Sequence, residues 1–129
     1  MITLDNSYNN THIKQVYPSH DDLISIGTNQ INLTFVHPIE LTVAVNISIY
    51  LKYNDEYFLR QRFLCTSQYC VISDDDHSLT INLLDITFNV PNMIYYVEID
   101  DKFLKYKDES IIIPGIKLGN WMIKTTEGI

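Results

Sequence analysis

The chain has 129 residues, a formal net charge of −7, and 46% hydrophobic against 19% charged residues, which fits one domain able to bury about two-thirds of its unfolded surface without a metal or cofactor. Its nine Lys and Arg are dispersed rather than gathered in a stripe, so the concentrated positive charge that phosphate binding needs is missing and no nucleic-acid partner is expected. Ala44 is the single alanine among many Ile, Val, Thr, Tyr and Phe, an inventory that favours strands over helices.

In chain order, His12 to Tyr17 predicts a first strand that Pro18 stops, because proline cannot donate to a ladder. Gln30 to Phe35 alternates cleanly, with Ile31, Leu33 and Phe35 on one face and Gln30, Asn32 and Thr34 on the other, as a strand between core and water does. Asn46 to Tyr53 repeats the pattern with Ile47, Ile49, Leu51 and Tyr53 inward, and Asn54-Asp55-Glu56 turns the chain into Tyr57 to Cys65, which reads as a hairpin. Val71-Ile72 is a short strand, Ser73 to His77 a polar loop tip, and Ser78 to Leu83 a strand with Leu79, Ile81 and Leu83 alternating. Leu84 to Met93 breaks the pattern around Pro91 and suits a crossover between sheets. Tyr95, Val97 and Ile99 then resume it, Pro114-Gly115 marks a turn, and Lys117 to Thr125 closes the domain with Trp121 and Ile123 on one face. The apolar runs are short, and Met1 to Asp5 has neither a basic nor an apolar leader region, so this stretch predicts no direct membrane insertion and no signal peptide.

Five segments carry a resemblance: Val16-Tyr17-Pro18-Ser19, Ile31 to Phe35 with Pro38-Ile39, Leu79-Thr80-Ile81, Tyr95 to Ile99, and Trp121 to Thr125. Together they resemble the bacterial-type (S-layer-like) immunoglobulin-like domain of surface proteins. The resemblance implies an all-β, immunoglobulin-like antiparallel β-sandwich of about seven strands in two sheets. Residues 1–129 would form a single domain, with its core at 12–126, as a module of a longer protein whose targeting signal lies elsewhere. It also implies that Tyr95 buries its ring and sends its hydroxyl to a nearby backbone group, and that Trp121 fills space between the sheets near one end.

Cys65 and Cys70 enclose four residues, a spacing that suits a disulfide across a tight strand connection, with two free thiols as the alternative. A bridge would place the chain in an oxidising compartment, extracellular or at a cell surface. Asn9, Asn32 and Asn46 each open an N-x-Ser/Thr sequon; chance matches are the competing reading of these possible N-glycosylation sites. Asp74, Asp75 and Asp76, with Asp100-Asp101 or Asp21-Asp22 as helpers, are weak Ca2+ candidates. They lack the alternating ligand spacing and turn glycine of a dedicated loop. Tyr50, Tyr57 and Tyr96 are candidates for a sugar-stacking platform, though strand tyrosines more often pack. His77 and Ser78 are adjacent and should point to opposite faces, so they form no catalytic pair.

The expected function is therefore a non-catalytic structural or interaction module, without cofactors, that spaces or presents binding sites. Its expected partners are neighbouring domains of the same parent chain and a surface protein or glycan. The alternative is a carbohydrate-binding β-sandwich module, which a line of coplanar exposed aromatics would betray. An enzyme is not expected, because no convergent carboxylates or nucleophile with its base stand out.

Overall fold

The computed structural model describes residues 10–127. The described chain is all-β: β1 (Ile13–Tyr17), β2 (Asp22–Ile24), β3 (Gln30–Phe35), β4 (Ile39–Leu41), β5 (Asn46–Tyr53), β6 (Glu56–Leu64), β7 (Cys70–Ile72), β8 (Ser78–Asn82), β9 (Ile94–Ile99), β10 (Leu104–Tyr106), β11 (Ile112–Ile113) and β12 (Met122–Thr125). One sheet has the order β1-β3-β8-β7 and a second the order β2-β12-β9-β5-β6. With β1, β3, β5, β6, β7, β8, β9 and β12 taken as A, B, C, C′, D, E, F and G, the sheets read A-B-E-D and G-F-C-C′, the strand orders of an immunoglobulin sandwich. The period-two segments all became strands, and the predicted crossover from Leu84 to Met93 does carry the chain from one sheet to the other.

Three features depart from the expected seven antiparallel strands. After Pro18, whose peptide bond to Tyr17 is cis, the chain leaves the first sheet and β2 pairs β12 in parallel. The segments between β3 and β5 and between β9 and β12 are not plain loops, because β4, β10 and β11 form a third small sheet in the order β11-β10-β4. Finally, Tyr53 is not inward: it is 52% exposed, at the very tip of the hairpin where it pairs Glu56. The two residues between them, Asn54 and Asp55, both have positive φ, the geometry of a two-residue primed turn that matches strand twist.

The core follows the alternation. Ile31, Leu33, Phe35, Ile49, Leu79, Ile81, Tyr95, Val97, Trp121 and Ile123 are all fully buried, each contributing about 1.5–3 kcal/mol of apolar transfer if an aliphatic or Phe. The Tyr95 hydroxyl accepts from the Val90 amide at 3.1 Å and donates to the Val90 carbonyl at 3.4 Å, a tyrosine corner that ties the crossover to β9. The Trp121 indole N–H donates to the Pro18 carbonyl at 2.8 Å, fixing the switch from β1 to β2. Cys65 and Cys70 are disulfide-bonded with Cα atoms 5.4 Å apart, and the bridge clamps the step from β6 in one sheet to β7 in the other.

The third sheet builds its own apolar extension of the core from Ile39, Phe103, Leu104, Tyr106, Ile113 and Ile116. Gly115 is required there, because a Cβ at that position would run into the backbone carbonyls of Ile99 and Asp100 while Ile99 and Ile116 exchange backbone hydrogen bonds at 2.9 Å.

Candidate functional site

Strand register places one aromatic cluster on the outer face of the five-stranded sheet. Tyr50 stands opposite Tyr96 on β9 and Leu59 on β6, and Lys52 stands opposite Tyr57. The Tyr50 and Tyr57 rings meet edge-on, with centroids 6.2 Å apart at 81°, and Tyr57 meets Tyr96 at 5.5 Å and 69°. The Lys52 ammonium lies 5.7 Å from the Tyr57 centroid and 5.9 Å from that of Tyr96, within the range of a cation–π attraction. Edge-to-face rings favour one another electrostatically, but their open faces do not align, so these three do not make the coplanar row of a sugar platform.

Polar groups lock the cluster from below. The Arg62 Nε donates to the Ser48 hydroxyl at 3.0 Å and its Nη2 to the Tyr50 hydroxyl at 2.9 Å, which is why Ser48 is buried on an outward position. The Tyr50 hydroxyl in turn donates to Glu98 at 3.5 Å. Beyond Tyr96, whose hydroxyl donates to the Met122 sulfur at 3.4 Å, the face continues through Met122, Ile94 and Leu23. It ends in a groove of about 260 Å³ lined by Leu23, Asn92, Met93, Ile94, Lys124 and Thr125. Leu23 is 59% exposed there. Lys124 pairs with Asp21 at 2.6 Å, and its hydrogen bond, more than its charge, holds the Asp21 carboxyl below the ordinary carboxylate range.

Among the described residues, ion pairs join Lys105 to Glu40, Lys107 to Asp76 and Lys124 to Asp21, whereas Lys52 and Arg62, which flank the tyrosines on this face, have none. Arg60 of β6 turns away from the cluster and donates to the Ile86 carbonyl and the Asn89 side chain of the crossover, each at 2.7 Å. Sequence reading picked out the tyrosines but not the cations around them. The available signal was that Lys52 and Arg62 hold outward positions of the same period-two strands.

The remaining candidates are held apart. The Asp75 carboxylate accepts from the Ser73 hydroxyl at 2.6 Å and the His77 amide at 3.1 Å, and the Ser73 bond does most to keep its pKa low. Asp76 binds Lys107 at 2.8 Å, whose ammonium pKa is raised by that bond. Asp101 accepts from the Gly115 amide at 2.8 Å and Asp22 from the Leu23 amide at 3.0 Å. Among the described residues no three His, Cys, Asp or Glu side chains converge. His77 Nδ1 lies 2.8 Å from the Asp75 carbonyl while the Ser78 hydroxyl faces Thr34 at 3.4 Å, so the two do not meet. Asn9 lies outside the described residues; Asn32 and Asn46 are half-buried on β3 and β5.

No protein-family model matches the chain, and no match was found among curated proteins. Among solved structures the chain is similar to the CopC of Methylosinus trichosporium OB3b, with a TM-score of 0.52 at 14% identity over 91% of this chain and 96% of that one. That likeness shows a shared β-sandwich fold and nothing further. A second structure, of the bacterial superantigen toxic shock syndrome toxin-1, aligns at 10% identity over 86% of this chain and 96% of that one, but its TM-score of 0.33 carries no argument.

Proposed function

We propose that this chain is a non-catalytic immunoglobulin-like interaction module of an extracellular or cell-surface protein. Its outer G-F-C-C′ face docks a protein surface that carries carboxylates. The observation that carries the reading is the Tyr50–Tyr57–Tyr96 cluster under Lys52 and beside Arg62. Tyr, Arg and Met are the residue types enriched at interface centres. Rings already packed edge-to-face lose little freedom on docking, and cations without an ion-pair partner offer steering and register to an acidic partner. The groove at Leu23 extends the same face with a socket for an apolar side chain. The Cys65–Cys70 bridge supports an oxidising compartment.

The test places a photo-crosslinking residue at Leu59 on this face and, as the control, at Thr80 on the other sheet. The partner captured in an extracellular setting is then purified and its binding measured. The expected result is capture through position 59, salt-sensitive association, and at least about a tenfold loss of affinity in the Lys52→Glu, Arg62→Glu double variant. A partner that binds this double variant as tightly as the parent chain, or that crosslinks only through position 80, overturns the reading.

A further inference from the structure

The outer face of the four-stranded sheet has the opposite chemistry. Register turns Gln15 and Tyr17 of β1, Asn32 and Thr34 of β3, and Ser78 and Thr80 of β8 outward together. No register-paired outward position on these strands is charged, and Lys14 is the extra residue of a bulge with no partner in the ladder. The six paired positions carry amides, hydroxyls and one phenol and no charge, on a chain with 25 charged residues out of 129, the 9 basic and 16 acidic ones. The side chains hold one another in place: Thr80 donates to the Asn32 amide oxygen at 2.6 Å, Thr34 and Ser78 lie 3.4 Å apart, and Gln30 donates to Asn82 at 3.0 Å.

That ladder frames a groove of about 270 Å³ lined by Gln15, Val16, Tyr17, Asn32, Thr34 and Ser78. Its volume is just under the ~300 Å³ at which small-molecule sites begin, the scale of a mono- or disaccharide. Thr80 anchors Asn32 by its oxygen, leaving the amide N–H groups as pre-aimed donors. The Gln15 amide and the Tyr17 hydroxyl have no partner among the described residues, and the Tyr17 ring, 56% exposed, forms one rim.

We propose that this groove binds a neutral saccharide, with one pyranose ring stacked on Tyr17 and its hydroxyls bonded by Gln15, Asn32, Thr34 and Ser78. Sugar hydroxyls donate and accept at once. Amides and hydroxyls answer both needs, whereas an ammonium only donates and a carboxylate only accepts. An uncharged lining also spares the desolvation cost that a fixed charge would impose on a neutral ligand. The aromatic rim supplies the apolar contact for the C–H face of the ring. This face lies on the opposite side of the sandwich from the tyrosine cluster, so binding here and protein docking there can succeed or fail separately.

The test uses the whole chain made in a bacterial host, 15N-labelled and titrated in turn with cellobiose, maltose, lactose and N,N′-diacetylchitobiose. Saturable shifts of the Gln15, Tyr17, Asn32, Thr34 and Ser78 amides are expected with at least one of them, and none with glucuronate or glucosamine. Tyr17→Ala and Gln15→Ala, both at exposed positions, should keep the parent melting transition and weaken binding by at least about tenfold. The proposal is overturned if no neutral disaccharide shifts these amides, if the shifts map to Tyr50, Tyr57 and Tyr96 instead, or if Tyr17→Ala binds as the parent does.

Discussion

Replacing Tyr95 by Phe removes one buried oxygen and tests whether the tyrosine corner, rather than the ring alone, holds the crossover onto β9. The ring stays buried against Phe88, whose centroid is 5.0 Å away. The hydroxyl, however, is the partner of both polar atoms of Val90. The Val90 carbonyl also accepts from the Thr125 hydroxyl at 2.7 Å and keeps that bond, while the Val90 amide is left without a partner. Losing one hydrogen bond and stranding a half-buried donor costs about 1–2 kcal/mol. For a chain of this size that corresponds to a fall in melting temperature of about 3–10 °C. Urea and thermal unfolding of the parent, Tyr95→Phe and Tyr96→Phe would measure it, the last a control whose hydroxyl meets the Met122 sulfur and should stay within about 0.5 kcal/mol. Alkaline pH supplies a second signature. Burial pushes the Tyr95 hydroxyl pKa above its ordinary value, against the Val90 hydrogen bond and the Arg60 charge, so the folded state keeps this proton after the unfolded chain has lost it. Its contribution is therefore complete below about pH 10 and is lost as pH rises through the folded value. In Tyr95→Phe this part of the alkaline loss should vanish, while the part from Tyr106, also raised by burial, remains. A Tyr95→Phe variant within about 0.5 kcal/mol of the parent would show that the corner hydrogen bonds add nothing to the fold.

Ile81→Ala empties a fully buried position between Ile31 and Cys70 on the neighbouring strands; a loss of about 2–5 kcal/mol is expected in denaturant titration, and a loss near zero would contradict the inward face assigned to β8. Reducing the Cys65–Cys70 bridge opens a loop of sequence separation 5 and should cost about 2 kcal/mol or less on the entropic estimate. The native protein should show no thiol labelling and the reduced one should still melt cooperatively; labelling of both cysteines without reductant would remove the argument for an oxidising compartment.

Legibility in the sequence followed length and alternation. Strands such as β3 and β8 expose a two-residue period that burial obeys, and every core residue named on these two is buried. β2, β4, β10 and β11 have two or three residues each, too few for a period, and they form because distant segments offer edges to pair with. Tyr53 shows the limit of periodicity: it keeps its phase on β5 but stands exposed at the hairpin tip. The same limit applied to function. Tyr50, Tyr57 and Tyr96 were visible as strand tyrosines, yet whether three rings lie flat or edge-on depends on register across β6, β5 and β9, including the irregularity between Ile49 and Tyr50. The Tyr17 groove needs β1 beside β3 and β3 beside β8, pairings that no local pattern states.

The parallel pairing of β2 with β12 has a mechanical meaning. β1 starts beside the end of β3 and β12 finishes beside the end of β2, so the chain enters and leaves at opposite ends of the sandwich. Tension between those two ends would drag β2 backward and β12 forward along a common axis. The three register pairs Ile123↔Asp22, Lys124↔Leu23 and Thr125↔Ile24 would then be loaded together in shear, instead of opening one after another as a peeled hairpin does. The short strand formed by the break at Pro18 thus shares that load with the ladder between β1 and β3.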